Sequence, residues 1–175
     1  EAWALRDGGR NPSPDTLVTA KARSGFRHVS LDAARCSASR LIDVTLDAGG
    51  LGKGAALDRV RHAERGRPSA WLIDFGGQIA VSSTSPDRAW PVAVAHPARR
   101  DVPVVELHLT EGSLATTGGS ERDVLSDENG QLGHVVDPQT GMPVSRAGSV
   151  IVWHQDALVA DILSTALYVM GVNEG

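Results

Sequence analysis

The chain has 175 residues, 41% hydrophobic and 22% charged, which is enough apolar content for one substantial core and too much for a disordered polypeptide. Its net charge of -4 argues against a nucleic-acid partner, because binding to phosphate backbones needs a positively charged footprint. Cys36 is the one cysteine, so an intramolecular disulfide and a cysteine-rich zinc site are both excluded, and no apolar run approaches the roughly 20 residues that span a bilayer.

In chain order, Ser13-Pro14-Asp15 reads as an N-cap with proline at the first helical position, opening a short helix that Gly25 stops. Strands are predicted over Phe26 to Leu31 and over Arg40 to Leu46, the second for its apolar Leu41, Ile42, Val44 and Leu46. That strand runs into a glycine-rich turn, Asp47 to Gly54, and a helix resumes over Ala55 to Arg65 with Ala56, Val60 and Ala63 as its inner face and Gly66 as its stop. Further strands are expected over Ala70 to Asp74, ending at Gly76-Gly77, at Ala80-Val81, over Pro91 to Ala95 and over Val102 to Thr110. In the last of these Val105, Leu107 and Leu109 alternate with Glu106, His108 and Thr110, the pattern of a half-buried antiparallel strand. Ser113 to Thr117 and Ser149 to Trp153 add strands, Asn129-Gly130 and Asp137-Pro138 mark turns, and Ala157 to Met170 forms a helix closed by Gly171. Strands outnumber helices and the spacings are too short for regular crossovers, so an α+β layered domain with a mostly antiparallel sheet and flanking helices is expected.

Four segments could carry chemistry. The glycine turn lets backbone N–H groups approach an anion, with the positive end of the following helix behind them and Lys53 beside them. It is neither a Walker A loop, since Asp47 and Gly54 stand where glycine and Ser/Thr are needed, nor a dinucleotide fingerprint, since Gly50, Gly52 and Gly54 are spaced G-x-G-x-G. A tight turn needing positive φ explains the same glycines. Asp161 and Thr165 are four apart on the last helix, so their oxygens share a face and could both reach a hard cation such as Mg²⁺ or Ca²⁺; a solvated Asp and a Thr bonded back to a helix carbonyl is the plainer alternative. His134 leads Val135-Val136 into the turn Asp137 to Gly141, where a histidine could serve as general base. Ala115-Thr116-Thr117-Gly118-Gly119-Ser120-Glu121-Arg122 clusters hydroxyls suited to ribose or phosphate, or simply ends a strand in a polar turn.

Taken together and in order, these segments resemble the FAD:protein FMN transferase (ApbE) family. Asp47 to Asp58, D-A-G-G-L-G-K-G-A-A-L-D, resembles that family's D-x-G-G-I-A-K-G-Y-A-V-D, and Asp74 to Ile79, D-F-G-G-Q-I, is similar to its N-x-G-G-N-I. Ala115 to Arg122 is similar to A-T-S-G-D-Y-E-R, His134 to Gly141 to H-I-I-D-P-R-T-G, and Ala160 to Gly171 to A-D-A-L-A-T-A-L-F-V-L-G. The resemblance implies a metal-dependent enzyme that moves FMN from FAD onto a Ser or Thr hydroxyl of an acceptor protein and releases AMP. It implies Mg²⁺, with Ca²⁺ as the other candidate, held by Asp161, Thr165 and the carbonyl of Gly52. Lys53, Asp58, Gly76, Gly77, Gln78, Thr117 and Asp137 would lie along the nucleotide, and His134 would assist attack by the acceptor hydroxyl.

The chain departs from the family pattern at Gly119 and Ser120, which replace Asp-Tyr, and at Gln78, which replaces Asn. The family also has a segment ahead of the region that begins here, one that closes over the flavin, so the expectation is a single domain over residues 1–175, incomplete at its N-terminus. Relatives of this kind imply the bacterial cell envelope or periplasm, while the residues alone leave the cytoplasm open. Two further readings compete: an FAD pyrophosphatase, in which water takes the place of the acceptor hydroxyl, and a non-catalytic nucleotide- or metal-binding module.

Overall fold

The computed structural model describes residues 2–5, 9–67, 69–96, 99, 101–119, 124–126, 130–144 and 148–175. In chain order its elements are α1 (Pro14–Ala22), β1 (Val29–Asp32), β2 (Ser37–Arg40), α2 (Gly52–Ala63), β3 (Trp71–Phe75), β4 (Gln78–Ser82), β5 (Trp90–Ala95), β6 (Pro103–Leu109), β7 (Glu111–Gly118), β8 (Val124–Ser126), β9 (Gly130–Leu132), β10 (Ser149–His154) and α3 (Ala157–Glu174). They group into two compact units, one made of Glu1–Asp47 with Glu121–Ser145 and the other of Ala48–Ser120 with Arg146–Gly175.

In the first unit Ser13 caps α1 by accepting from the Thr16 N–H at 3.2 Å, with Pro14 opening the helix. β1 and β2 form an antiparallel hairpin with Val29 opposite Arg40 and Asp32 opposite Ser37, and β8 pairs antiparallel with β9. The chain then folds back on itself over 135–144, where the Val144 N–H donates to the Val135 carbonyl at 2.8 Å and the Asp137 N–H to the Met142 carbonyl at 2.9 Å. Trp3, 8% exposed, fixes this loop by donating from Nε1 to the Gly141 carbonyl at 2.7 Å.

The second unit is built on a four-stranded antiparallel sheet in the order β10-β7-β4-β3. Side chains alternate across it as the pleat requires. Ile79 and Leu114 face the hairpin β5–β6, where they join Val92, Val94, Leu107, Leu109 and Ile151 in one apolar cluster. Ala80, with Trp71 and Ile73, faces the helices and packs against Leu57 of α2 and Ala157 of α3. Hairpin, sheet and helices make three layers, so the layered, antiparallel α+β class read from the sequence holds here.

Several elements differ from the sequence expectation. Arg40 to Leu46 is not a strand: β2 ends at Arg40, and Leu41, Ile42 and Leu46 are exposed. Apolar side chains alone do not make a strand without a partner edge, and among the described strands none pairs with residues 41–46. Phe26 to His28 forms a 3-10 turn, so β1 starts at Val29. α2 starts at Gly52 and buries Gly54 and Leu57, while Ala56 and Ala63 are exposed and Val60 is 38% exposed. Ala56 and Ala63 offer little apolar surface to bury, so Leu57 and the close packing of Gly54 set the inner face. α3 reaches Glu174, with helical geometry interrupted at Gly171 (φ 80°, ψ -179°). By length and composition α3 could cross a membrane, an apolar run that the sequence reading did not expect; in this unit it buries Ala157, Ala160, Asp161, Ser164 and Tyr168.

Candidate functional site

The first turns of α2 and α3 lie side by side, and each lacks a cap of its own. Leu51 and Asp156 occupy the N-cap positions, and neither side chain accepts a hydrogen bond from its helix. The helices instead cap each other. Asp58 of α2 accepts the N–H groups of Ala157 and Leu158, both at 2.9 Å, and Asp161 of α3 accepts the Gly54 N–H at 2.9 Å. Each carboxylate thus satisfies amide donors that a helix start leaves unpaired, at the positive end of the other helix. The approach is close enough to require glycine: a methyl at Gly54 would stand 2.7 Å from Leu158 Cα and 2.8 Å from the Ala157 carbonyl carbon.

Asp161 is 2% exposed. Besides the Gly54 amide, it meets Lys53 Nζ at 3.2 Å from Oδ1. Three hydroxyls gather beside it. Thr117 Oγ1 of β7 lies 2.9 Å from Ser164 Oγ and 3.4 Å from Thr165 Oγ1, and both of these donate to the Asp161 carbonyl, at 3.0 Å and 3.2 Å. The back-bonded threonine foreseen as the plainer alternative is therefore present, whereas the solvated aspartate is not. Ser164, fully buried, was not singled out from the sequence, although its place three residues after Asp161 puts it on the same helical face.

The glycine turn meets this cluster through Gly50, where a methyl would stand 3.6 Å from Thr165 Oγ1; Gly52 opens α2 and faces Ala48 of its own turn. Gly76 and Gly77, at φ 62° and 85°, form the two-residue turn between β3 and β4, a geometry that favours glycine at both positions. The Gly77 N–H donates to Asp74 Oδ1 at 2.9 Å, and a methyl at Gly76 would be 4.0 Å from Lys53 Cδ. Gln78, fully buried, donates from Nε2 to the Ala157 carbonyl at 2.8 Å and to Ser113 Oγ at 3.2 Å. Among the described residues its Oε1 has no hydrogen-bond partner, a burial that costs about 1–3 kcal/mol.

Lys53, Asp58, Gly76, Gly77, Gln78, Thr117, Gly52, Asp161 and Thr165 all belong to the second unit, and His134 and Asp137 to the first. Asp137 is committed to its own turn: Oδ1 accepts the Gln139 N–H at 2.8 Å and Oδ2 the Thr140 hydroxyl at 2.9 Å. The Gln139 bond leads in holding its carboxyl below the usual value; burial opposes the shift, and Thr140 and the charge of Lys21 add to it. His134 is half-buried just ahead of this loop. Ser120, Glu121 and Arg122, the end of the hydroxyl segment, lie outside the described residues.

A hard cation fits the Asp161 cluster on its donor chemistry. Among the described residues no three His, Cys, Asp or Glu side chains come together, so a thiolate or imidazole site is not what this cluster offers. One buried carboxylate, neighbouring hydroxyls and a glycine turn suit Mg²⁺, which typically takes one or two carboxylates and completes its shell with substrate phosphates and water.

The model of the ApbE family matches residues 1–175. An FAD:protein FMN transferase of Klebsiella pneumoniae (strain 342) is 30% identical over 166 residues, covering 91% of this chain and 47% of the relative, and that of Escherichia coli (strain K12) matches at the same identity and coverage. The chain spans about half the length of the curated relatives it matches. The crystal structure of an ApbE protein from Thermotoga maritima aligns with a TM-score of 0.82 at 30% identity, over 92% of this chain and 52% of that one. Pseudomonas stutzeri flavinyl transferase ApbE, in its apo form, aligns at 0.79 and 26%, over 96% and 52%. Matched along its whole length by the family model, and sharing the fold of these two structures, this chain belongs to the ApbE family.

Proposed function

We propose that this chain carries the cation- and phosphate-binding part of an FAD:protein FMN transferase, which moves FMN from FAD onto a Ser or Thr hydroxyl of an acceptor protein and releases AMP. The observation that carries this reading is the buried Asp161, whose carboxylate faces Lys53 Nζ and the Gly54 amide while its backbone carbonyl accepts the hydroxyls of Ser164 and Thr165, which Thr117 joins. Asp161, Thr165 and a backbone carbonyl of the glycine turn, Gly50 or Gly52, would hold Mg²⁺ or Ca²⁺. Such an ion neutralises pyrophosphate charge and stabilises the leaving phosphate. Lys53, now turned to Asp161, would serve the phosphates, and the turn at Gly76-Gly77 beside it would admit the nucleotide without side-chain obstruction. By family resemblance Thr117 and Asp137 also belong to the nucleotide's surroundings, and His134 would take the proton of the attacking hydroxyl.

The test is incubation of the chain with FAD, Mg²⁺ and a Ser/Thr-containing acceptor, reading AMP by chromatography and the acceptor by mass. AMP released only with acceptor, together with an FMN-sized mass gain, is the expected result. AMP released regardless of acceptor replaces this reading with an FAD pyrophosphatase. FAD binding with no AMP under either condition replaces it with a binding module.

A further inference from the structure

We infer that Asp58 and Gln78 are positioning residues for the cation site, holding the Ala157 peptide, and through it the first turn of α3, so that Asp161 and Thr165 are presented together. The inference rests on the proposed cation reading of that site and assigns these two residues a task other than nucleotide contact. A single peptide group is held from both sides. Asp58 Oδ1 accepts the Ala157 N–H, its Oδ2 accepts the Leu158 N–H, and Gln78 Nε2 donates to the Ala157 carbonyl. Gly54 packs directly on that carbonyl. One helical turn beyond Ala157 stands Asp161, whose Oδ2 returns to the Gly54 N–H.

Neither side chain is well placed to serve a nucleotide at the same time. Asp58 already accepts three hydrogen bonds, from the Ala157 and Leu158 N–H groups and from Arg61 Nη1 at 3.1 Å, where the Asp161 carboxylate accepts two. Gln78 is fully buried, with its amide nitrogen on Ala157 and Ser113. Reversing its amide would set its oxygen against the Ala157 carbonyl oxygen, so the orphaned Oε1 is tolerated for the sake of the Nε2 bonds. Partners that orient a metal ligand commonly change metal affinity about 10–100-fold when removed.

Calorimetry of ADP binding to the intact chain, with Mg²⁺ and with a chelator, tests this. For the unaltered chain Mg²⁺ tightens ADP binding, and Asp161→Ala removes that gain. Gln78→Met and Asp58→Asn are each expected to cut the gain about tenfold, Asp58→Ala more than Asp58→Asn because asparagine still accepts one N–H, with metal-free ADP affinity unchanged throughout. Gln78→Met is close in shape and removes an unpartnered acceptor, so it retains the fold, checked by circular dichroism, even where an Asp58 variant does not. A fall in metal-free ADP affinity would make these residues nucleotide contacts and overturn the inference. A Mg²⁺ gain that depends on Asp161 but survives in both variants overturns the positioning role alone. No Mg²⁺ gain in the unaltered chain, or one indifferent to Asp161→Ala, overturns the cation site and the positioning role with it.

Discussion

A carboxylate that is 2% exposed needs compensation, and Asp161 has two sources of it: a backbone amide and the ammonium of Lys53, whose side chain is 27% exposed. Lys53→Met removes the charge and keeps much of the stem. The variant should lose about 1–3 kcal/mol, less than breaking a fully buried pair because Lys53 is partly solvated and the Gly54 bond persists. If the same carboxylate is a cation ligand, Mg²⁺ should restore part of that loss. Urea midpoints with and without Mg²⁺ decide this: a variant as stable as the original, or one that gains no more from Mg²⁺ than the original does, counts against a shared role for Asp161. Asp137 behaves differently, since its hydrogen bonds are local. With its folded carboxyl below the usual 3.8, the stability it contributes is complete above that value and is lost as pH falls through the lowered one. Carboxyl carbon-13 shifts should show it titrating below 3.8, and Asp137→Asn should flatten the acid limb of the stability curve; titration at or above 3.8 would mean that the turn does not hold the charged form.

The spacing of Asp161 and Thr165 was legible because an α-helix turns i and i+4 to one face. What Asp161 touches was not, since Lys53 and Gly54 stand more than a hundred residues away in sequence. The same distance hides the reciprocal capping: nothing near Asp58 in the sequence announces that its partners are the amides of Ala157 and Leu158. The alternating strand at 103–109 and the double-glycine turn were read correctly because their signals are local, while Arg40 to Leu46 was misread because strand pairing is not. Gly54 is where the two helices depend most on one residue. Alanine in a helix interior usually gains about 0.5–1 kcal/mol over glycine, but here its methyl would meet backbone of α3, at 2.7 Å from Leu158 Cα, which cannot rotate aside. The clash should win, with Gly54→Ala destabilising the chain by about 1–3 kcal/mol and abolishing the Mg²⁺ enhancement of ADP binding, because α3 must shift away. A variant as stable as the original, with that enhancement intact, would show that the helices have room the structure does not grant them.

At the scale of the whole molecule, the proposed cation and phosphate groups fall within the unit Ala48–Ser120 with Arg146–Gly175, and His134 falls in the other. If His134 takes the proton of the attacking hydroxyl, as proposed, His134→Ala should lower AMP release while leaving FAD affinity unchanged, the pattern of an interaction made only in the transition state; FAD affinity falling in step with turnover would contradict it. The ligand preference of the chain follows from what the second unit offers. If Asp161 and Thr165 hold the proposed cation, it and Lys53 would together concentrate positive charge that a pyrophosphate matches best, and both ADP and FAD carry one while FMN carries a single phosphate. With Mg²⁺, ADP and FAD should bind with similar affinity, and FMN at least about tenfold more weakly, a difference of about 1.4 kcal/mol. Because that preference depends on the ion, chelation should narrow the gap between ADP and FMN, and Asp161→Ala should narrow it to the same extent even with Mg²⁺ present. Calorimetry with the three ligands checks each step. FMN binding as tightly as ADP would mean that the flavin ring supplies the affinity and that the Asp161 cluster does not govern recognition; a preference for ADP that survives both chelation and Asp161→Ala would assign the pyrophosphate to Lys53 and the backbone amides, with no part for a cation.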